Sequence, residues 1–469
     1  MTRRLAPVAL AASVALALPV AVERAERRPA GRSLAPHRVA ASGAAVRVRG
    51  RGVRGDVNVS RARGAQAEVA IAVDPSRPAV LVAGSASYAS ASRVYGSANG
   101  GRTWTSRPLP PPRGTCSYGD PAVAIGPDGR QFYAFLAGSC DGQSERISLA
   151  LATRRRAGAP WSSRLLRIEG ATAMSDKNAL AVDVSAASPY AGRLYLAWSR
   201  LFAPTASYEV VVSHSDDDGA TWSRAVRVSG ARRTYQTYAS LAVGDDGTLY
   251  VAWLTEDGRV LLDRSDDGGD HFRRDLPIAS LPFTGASCPF AGSAIPAQAT
   301  RCAAPAPQVT ADAAHGRVHV TYAARTPGGT GQDVWVRSFD AATLSALGTR
   351  RRVNPPDGRA PSDQFLPAST VDATTGRLWA CWYDTRGDPT RRRARYTCSS
   401  SADGGTTWTL PRRAAHAFSD ETARAASPFQ YGDYAGVAAA AGVAHPIWTD
   451  SRRLGSLGEE IYANALQLP

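Results

Sequence analysis

The sequence predicts an all-β chain wound into a β-propeller of about seven four-stranded blades, with six blades as the alternative. Two repeats carry that prediction. A short segment occurs four times, as SANGGRTW from Ser97, SDDDGATW from Ser215, SDDGGDHF from Ser265 and SADGGTTW from Ser401. A longer pattern occurs seven times: an apolar run, a tight Asp/Gly turn, then an aliphatic-aromatic run. Its copies start roughly 50–70 residues apart, the length of a four-stranded blade.

Each short segment has Ser first, Asp or Asn third, Gly fifth and an aromatic eighth. The third-position carboxylate or amide accepts hydrogen bonds from the turn's own backbone. Glycine takes positive φ without steric cost. The closing Trp or Phe has enough apolar surface to pin the turn onto a core. Such a turn joins two antiparallel strands. The four segments resemble the Asp-box, or BNR, repeat of the sialidase superfamily. That resemblance implies a turn between the third and fourth strands of a propeller blade, on the face opposite the active site of true sialidases. Asn99 departs from the pattern in the first copy, as do His271 and Phe272 in the third. The segments SDKNAL, WYDTRGD, YGDYAG and HPIWTDSR are similar to exported bacterial BNR-repeat proteins labelled exo-α-sialidase or glycosyl hydrolase.

The seven long copies cover 67–85, 120–137, 176–200, 238–254, 307–324, 367–384 and 434–450. Each reads as two buried strands joined by a tight turn. The short segments follow them in blades one, three, four and six. Blade two has a degenerate turn, TRRRAGAPW, ending at Trp161. The chain ends in EEIYANALQLP, which supplies only a third strand for blade seven. Its fourth is expected from 46–60, which would close the ring and remove an exposed edge.

Ahead of the propeller, assigned to 65–469, lie two further segments. Residues 1–25 read as a signal peptide, with Arg3 and Arg4 before an apolar run over 5–22, so the protein is expected outside the cell. Residues 26–64 are rich in Arg, Ala, Gly and Pro and are expected to be disordered for most of their length. Residues 1–64 carry 13 arginines against Glu23, Glu26 and Asp56, so most of the formal charge of +15 lies there. That charge gives no reason to expect a nucleic-acid partner. Six cysteines fall as neighbours: Cys116 with Cys140, Cys288 with Cys302, and Cys381 with Cys398. Six allow 15 pairings, so local pairing is a preference. Cys381 and Cys398 lie on adjacent strands of one blade, which favours that bond.

Antiparallel topology then sorts side chains by face. First-strand starts and second-strand ends share one face, away from the short segments. The starts offer Glu68, Asp120, Asp176, Lys177, Tyr238, Asp433 and Tyr434; the ends offer Arg200, Arg325, Tyr383, Asp384, Arg386 and Arg452. Lys177 is the one lysine in the chain. Arginines meeting at a propeller mouth can grip a carboxylate or sulfate through paired hydrogen bonds. Asp384 and Asp450 are also close enough to hold Arg386 and Arg452 as glue between blades. The sialidase resemblance implies three substrate-binding arginines, a Tyr nucleophile helped by a Glu, and an acid Asp. Asp176, Tyr383, Asp384 and Tyr434 are therefore catalytic candidates, and Lys177 joins them as an acid or base for uronic-acid glycans if burial moves its pKa. Arg200, Arg325, Arg386, Asp433 and Arg452 are the substrate-binding ones. No Phe- or Tyr-Arg-Ile-Pro opens the propeller, and no Glu sits beside a candidate Tyr in sequence.

These features point to a glycoside hydrolase on anionic glycans. The alternatives are a uronic-acid-directed lyase or hydrolase and a non-catalytic glycan- or protein-binding propeller. No cofactor is implied, although an Asp ring could hold a structural Ca2+. HExxH, CxxC, P-loop and GxSxG motifs are missing. A monomer with no membrane attachment after leader removal is expected.

Overall fold

The computed structural model describes residues 46–49 (backbone only), 55–87, 91–140, 147–166, 173–202, 205, 207–230, 235–281, 292–326, 331–357, 360–422, 430–453 and 458–467. The signal peptide over 1–25, most of 26–64 and Cys288 lie outside these residues. Seven antiparallel sheets of four strands form the propeller, each with its first strand innermost. Blade one is Gln66–Val73, Leu81–Ser87, Arg93–Ser97 and Thr103–Pro108. Blade two is Cys116–Ile125, Gln131–Gly138, Ser148–Arg154 and Ser162–Leu165. Blade three is Ala173–Val182, Leu194–Phe202, Ser207–Ser215 and Val226–Arg227. Blade four is Gln236–Val243, Leu249–Thr255, Arg259–Ser265 and Leu276–Ser280. Blade five is Gln308–Asp312, Arg317–Arg325, Gln332–Asp340 and Arg351–Arg352. Blade six is Gln364–Asp372, Arg377–Asp384, Arg395–Ser401 and Arg412–Arg413. Blade seven is Gly436–Ala440, Val443–Asp450 and Glu460–Ala463, completed by Val57–Asn58 from the other end of the chain. The first strands touch in order around the ring, and the seventh returns to the first.

Two additions depart from sevenfold repetition. Val46–Arg49 adds a fifth strand to the outer edge of blade one. A hairpin, Ser293–Ile295 with Gln298–Ala303, is inserted between blades four and five.

The second strands are apolar throughout because neighbours cover both their faces; Gln131–Gly138 is buried at every residue. Trp198, Trp253, Trp382 and Trp448 sit near the ends of four of them, fully buried. Their indole N–H groups are satisfied locally where partners exist, as in Trp253 to Gln236 Oε1 at 3.0 Å and Trp448 to Asp450 Oδ2 at 3.0 Å.

The Ser-x-Asp turns follow the third strands of blades one, three, four and six, and their chemistry is local. In blade six Ser401 Oγ donates to Asp403 Oδ1 at 2.7 Å, and Gly405 N–H donates to Ser401 Oγ at 2.9 Å. Thr407 N–H donates to Asp403 Oδ1 at 2.9 Å. Asp217 repeats the pattern with Thr221 at 2.7 Å, and Asn99 with Thr103 at 2.9 Å. An amide oxygen therefore replaces the carboxylate at Asn99 without loss of the turn.

Cys116–Cys140 and Cys381–Cys398 are bonded. Cys302 is also disulfide-bonded, while its expected partner Cys288 lies outside the described residues. Cys381 and Cys398 face each other across the second and third strands of blade six. Reducing that bond, or replacing both cysteines by Ser, should lower stability by about 3 kcal/mol. Urea midpoints of the oxidised and reduced protein check it.

Candidate functional site at the channel mouth

The site begins with a backbone irregularity repeated around the ring. Where first and second strands pair, the register slips at Ala67/Val69, Gly119/Ala122, Asp176/Ala179, Thr237/Ser240 and Phe365/Ala368. A residue in each slip has positive φ: Glu68 at 57°, Asp120 at 50°, Lys177 at 47°, Tyr238 at 56° and Leu366 at 47°. Ala306, at 43°, holds the matching place in blade five. In blade seven Tyr434 stands two residues before Gly436, as Lys177 does before Ala179. A non-glycine residue in this conformation costs about 1–2 kcal/mol. Strain of this kind persists only where the surroundings over-determine it, and a bulge re-aims a side chain. Here the re-aimed side chains meet.

Lys177 is the centre. Its Nζ lies 2.6 Å from Asp433 Oδ2, 3.1 Å from Asp120 Oδ1 and 3.6 Å from Glu68 Oε1. Its own backbone N–H donates to Asp120 Oδ2 at 2.9 Å. The ammonium also faces the rings of Tyr434 and Tyr238, 5.8 and 6.0 Å from their centroids. Tyr434 Oη donates to Asp120 Oδ1 at 3.2 Å. Asp120 also acts electrostatically on Asp176. Blades one, two, three, four and seven thus converge on one cation.

A sixth contributor comes from outside the repeat. Arg301, on the inserted hairpin, bonds Asp433 through Nε and Nη2 together. The same hairpin is tied to the entry of blade seven: Gln298 Nε2 donates to Gly432 O at 3.1 Å, and Thr300 N–H to Gln430 Oε1 at 3.2 Å.

Burial divides the carboxyl groups into two kinds. It pushes Glu68 up to about 8, against the opposing pull of Lys177. It pushes Asp176 up to about 7 in the same way. Burial also raises Asp433, but Arg301 and Lys177 outweigh it and hold that carboxyl well below the usual range. Lys177 loses by burial and gains more from Asp120, Asp433, Glu68 and Asp176, so it stays charged. Burial lifts the Tyr434 and Tyr238 hydroxyls far above the ordinary phenol value, which keeps them protonated. One cluster therefore offers proton donors and ionised carboxylates together near neutral pH.

That division has a stability consequence. Glu68 and Asp176 hold protons in the folded protein at pH values where the unfolded chain has lost them. Folding takes up protons, so stability falls as pH rises from the ordinary carboxyl range to about 8. Asp433 has the opposite sign, but its effect lies below that window. Melting temperature against pH should slope downward over the window and flatten in Glu68→Gln. An unchanged slope would place the proton elsewhere.

The structure gathers Asp176, Lys177, Asp433 and Tyr434 with Glu68, Asp120 and Tyr238. It does not bring the other sequence candidates to them. Tyr383 is fully buried in blade six, packed against Phe365, Tyr396 and Tyr431. Its hydroxyl donates to Thr449 O at 3.0 Å and accepts from Thr449 N–H at 2.9 Å. It is a core residue joining blades six and seven. Asp384 is buried too, accepting from Gln364, Trp382 and the Arg386 N–H. Arg386 lies 3.4 Å from that same carboxylate. Arg200 donates to Glu209 at 2.8 Å on the neighbouring strand. Arg452 donates to Asp450 at 2.9 Å and Asp56 at 2.6 Å. Arg325, half-buried, acts electrostatically on Asp363. Arg200, Arg386 and Arg452 each have a carboxylate nearby, so these three do not form an arginine triad at the channel. Sequence reasoning missed Arg301, because the insertion has no counterpart in other blades.

Among the described residues no group of three or more His, Cys, Asp or Glu is arranged to hold a metal ion. The centre of the carboxylate cluster is filled by the Lys177 ammonium. A Ser338–His319–Asp312 array in blade five has the composition of a nucleophilic triad, with contacts of 2.8 and 3.2 Å. The His319 ring is fully buried beneath Gly405 of blade six, and His445 lies likewise beneath Gly101 of blade one. The shared position marks both rings as packing between blades.

No known protein family matches the sequence, and no curated protein does. Solved structures match by fold. An ulvan lyase described as a new family of polysaccharide lyase aligns over 90% of this chain and 98% of its own, with TM-score 0.52 and 12% identity. The same enzyme bound to -[GlcA(1-4)Rha3S]- aligns over the same shares, with TM-score 0.51 and 11% identity. A Hadza microbial sialidase aligns over 83% of this chain and 73% of its own, with TM-score 0.46 and 14% identity. At these identities the likeness establishes the propeller fold. No helix among the described residues is long and apolar enough to cross a membrane.

Proposed function

We propose that the protein is an exported, glycan-cleaving propeller whose reaction centre is the Tyr434–Asp120–Asp176 chain at the channel mouth. The observation that carries this reading is the Tyr434 hydroxyl donating to Asp120 at 3.2 Å, beside an Asp176 that burial keeps protonated near neutral pH. A tyrosine coupled to a carboxylate is a nucleophile with its own base. A carboxylic acid raised into the neutral range is a general acid.

In the proposed reaction Tyr434 Oη attacks the anomeric carbon while its proton passes to Asp120. Asp176 protonates the departing glycosidic oxygen. Water then attacks the glycosyl-tyrosine and gives a proton to Asp176, and Asp120 returns its proton to Tyr434. The phenol is neutral at the start, so it does not repel an anionic sugar. Arg301 and Lys177 together keep Asp433 ionised, and Lys177 fixes the positions of Asp120 and Asp433 through its contacts at 3.1 and 2.6 Å. The paired state of Arg200, Arg386 and Arg452 speaks against a sialidase-style arginine grip on a carboxylate. Export is supported by the apolar leader and the disulfides.

One observation favours a second reading. Protonated Glu68 and Asp176 could neutralise a uronate while Asp120 takes the adjacent carbon-bound proton, the neighbouring C–O bond breaks and Tyr434 protonates the departing oxygen; Asp120 then returns its proton to Tyr434, which completes a β-elimination. Incubation with aryl sialosides, uronic-acid polymers and neutral aryl glycosides separates the readings. Released reducing sugar without new ultraviolet absorbance supports hydrolysis; an absorbing unsaturated product supports elimination. No turnover on any of them rejects both and leaves a binding propeller.

A further inference from the structure

Blade two fills its third-to-fourth turn with arginine where four other blades place Ser-x-Asp or Ser-x-Asn. Arg154 is anchored there. Its Nε donates to Gln131 Oε1 at 2.7 Å, and its guanidinium lies 4.6 Å from the Trp161 ring centroid. Trp161 in turn packs edge-on against Tyr133 at 6.4 Å. The anchored turn presents the next two residues, Arg155 and Arg156, to solvent, and both are exposed. With Asp128, Arg130 and Ala159 they line a cleft of about 480 Å³. Arg130 reaches Asp218 in the turn of blade three at 3.2 Å, so the cleft sits at the border of blades two and three. The ion pairs recorded there run through Arg130, to Asp128 at 3.6 Å and Asp218. Among the described residues Arg155 and Arg156 have no ion pair. The turns that form this cleft leave from first- and third-strand ends, so it opens on the face opposite Lys177.

We propose that this cleft is an anion-binding site for the sulfate or carboxylate groups of an acidic polysaccharide. Guanidinium forks match such oxyanions through paired hydrogen bonds. The turn that carries these two guanidinium groups is held at its first residue by the Arg154 contacts, which limits the backbone ordering needed on binding. A polymer would touch the cleft repeatedly, so weak single contacts sum to useful avidity. The site lies away from the channel mouth and stands or falls independently of the proposed chemistry.

The test uses the whole mature chain with dextran sulfate, neutral dextran and inorganic sulfate as probes, at physiological ionic strength. Because the chain is strongly basic overall, the comparison is between two variants of equal charge. Arg155→Ala/Arg156→Ala alters the cleft; Arg412→Ala/Arg413→Ala removes two exposed arginines from the outer strand of blade six. The cleft variant should weaken dextran sulfate binding about tenfold, as loss of one charge-assisted contact implies, and the control less than about twofold. Neutral dextran should not bind, and both variants should keep the parent melting temperature. Equal weakening by both variants would mean diffuse attraction and overturn the site. Loss of inorganic sulfate binding with dextran sulfate binding intact would assign the cleft to a free ion and overturn the polysaccharide.

Discussion

Lys177→Met should cost about 3–5 kcal/mol of stability near neutral pH, the usual consequence of breaking a buried ion pair from one side. Methionine keeps the apolar stem and removes only the charge. Asp433 and Asp120 then lose the ammonium they face at 2.6 and 3.1 Å, and Glu68, at 3.6 Å, loses it too as its own proton leaves toward pH 8. Their side chains are 4–6% exposed, so water cannot replace it. Arg301 remains, but it is committed to Asp433. The relief open to the cluster is protonation, so the loss should be largest at pH 8 and shrink toward pH 5. Chemical denaturation of both proteins at the two pH values measures it. Asp120→Asn in the Lys177→Met background should recover part of the loss, because Asp120 has no other ion pair among the described residues, whereas Asp433 keeps Arg301. Parent-like stability of Lys177→Met at pH 8 would show that the cluster is solvated and not a buried hub.

The propeller could be read from the sequence because its signals are local. Ser401, Asp403, Gly405 and Thr407 satisfy one another within one turn. The apolar pairs of runs encode strands that neighbour each other in the chain. Blade count follows from repetition, and the ring follows from blade count. The candidate site was legible only in part. First-strand starts share a face by topology alone, which is why Glu68, Asp120, Asp176, Lys177, Tyr238, Asp433 and Tyr434 fall together before any contact is known. Nothing local announces the positive φ values that bring Glu68, Asp120 and Tyr238 to the same level. Those arise from ladder slips between strands.

Second-strand ends misled for a physical reason. A buried arginine at a strand end needs a carboxylate, and the nearest in the chain usually supplies it. Asp384 does so for Arg386 and Asp450 for Arg452. Tyr383, in a run of aromatic and charged residues, looked functional because its neighbours are polar; alternation along the strand turns it into the core instead. Arg301 had no pattern to betray it. Its position depends on a hairpin reaching from the blade-four side of the ring to the entry of blade seven, a contact 132 residues apart.

Tyr434→Phe should reduce turnover on the best substrate by a factor on the order of 10⁴–10⁶, the range for removing one member of a nucleophilic unit. It deletes one oxygen and leaves the ring that faces Lys177 at 5.8 Å. The structural cost is one hydrogen bond to Asp120, worth roughly 0.5–1.5 kcal/mol net. Stability and activity should therefore separate, with a near-parent melting temperature and a collapsed rate. Asp120→Asn should show a comparable rate loss, because the amide cannot take the phenolic proton. The double variant should lose little more than either single one, as residues acting as a unit do. Asp176→Asn differs in kind: it should spare the first half-reaction on substrates whose leaving group departs without protonation, giving a burst of nitrophenolate before slow hydrolysis of the glycosyl-tyrosine, and fail on alkyl glycosides. If Tyr434→Phe keeps turnover within tenfold of the parent, the chemistry lies elsewhere and the cluster is an ion-pair hub holding five blades together.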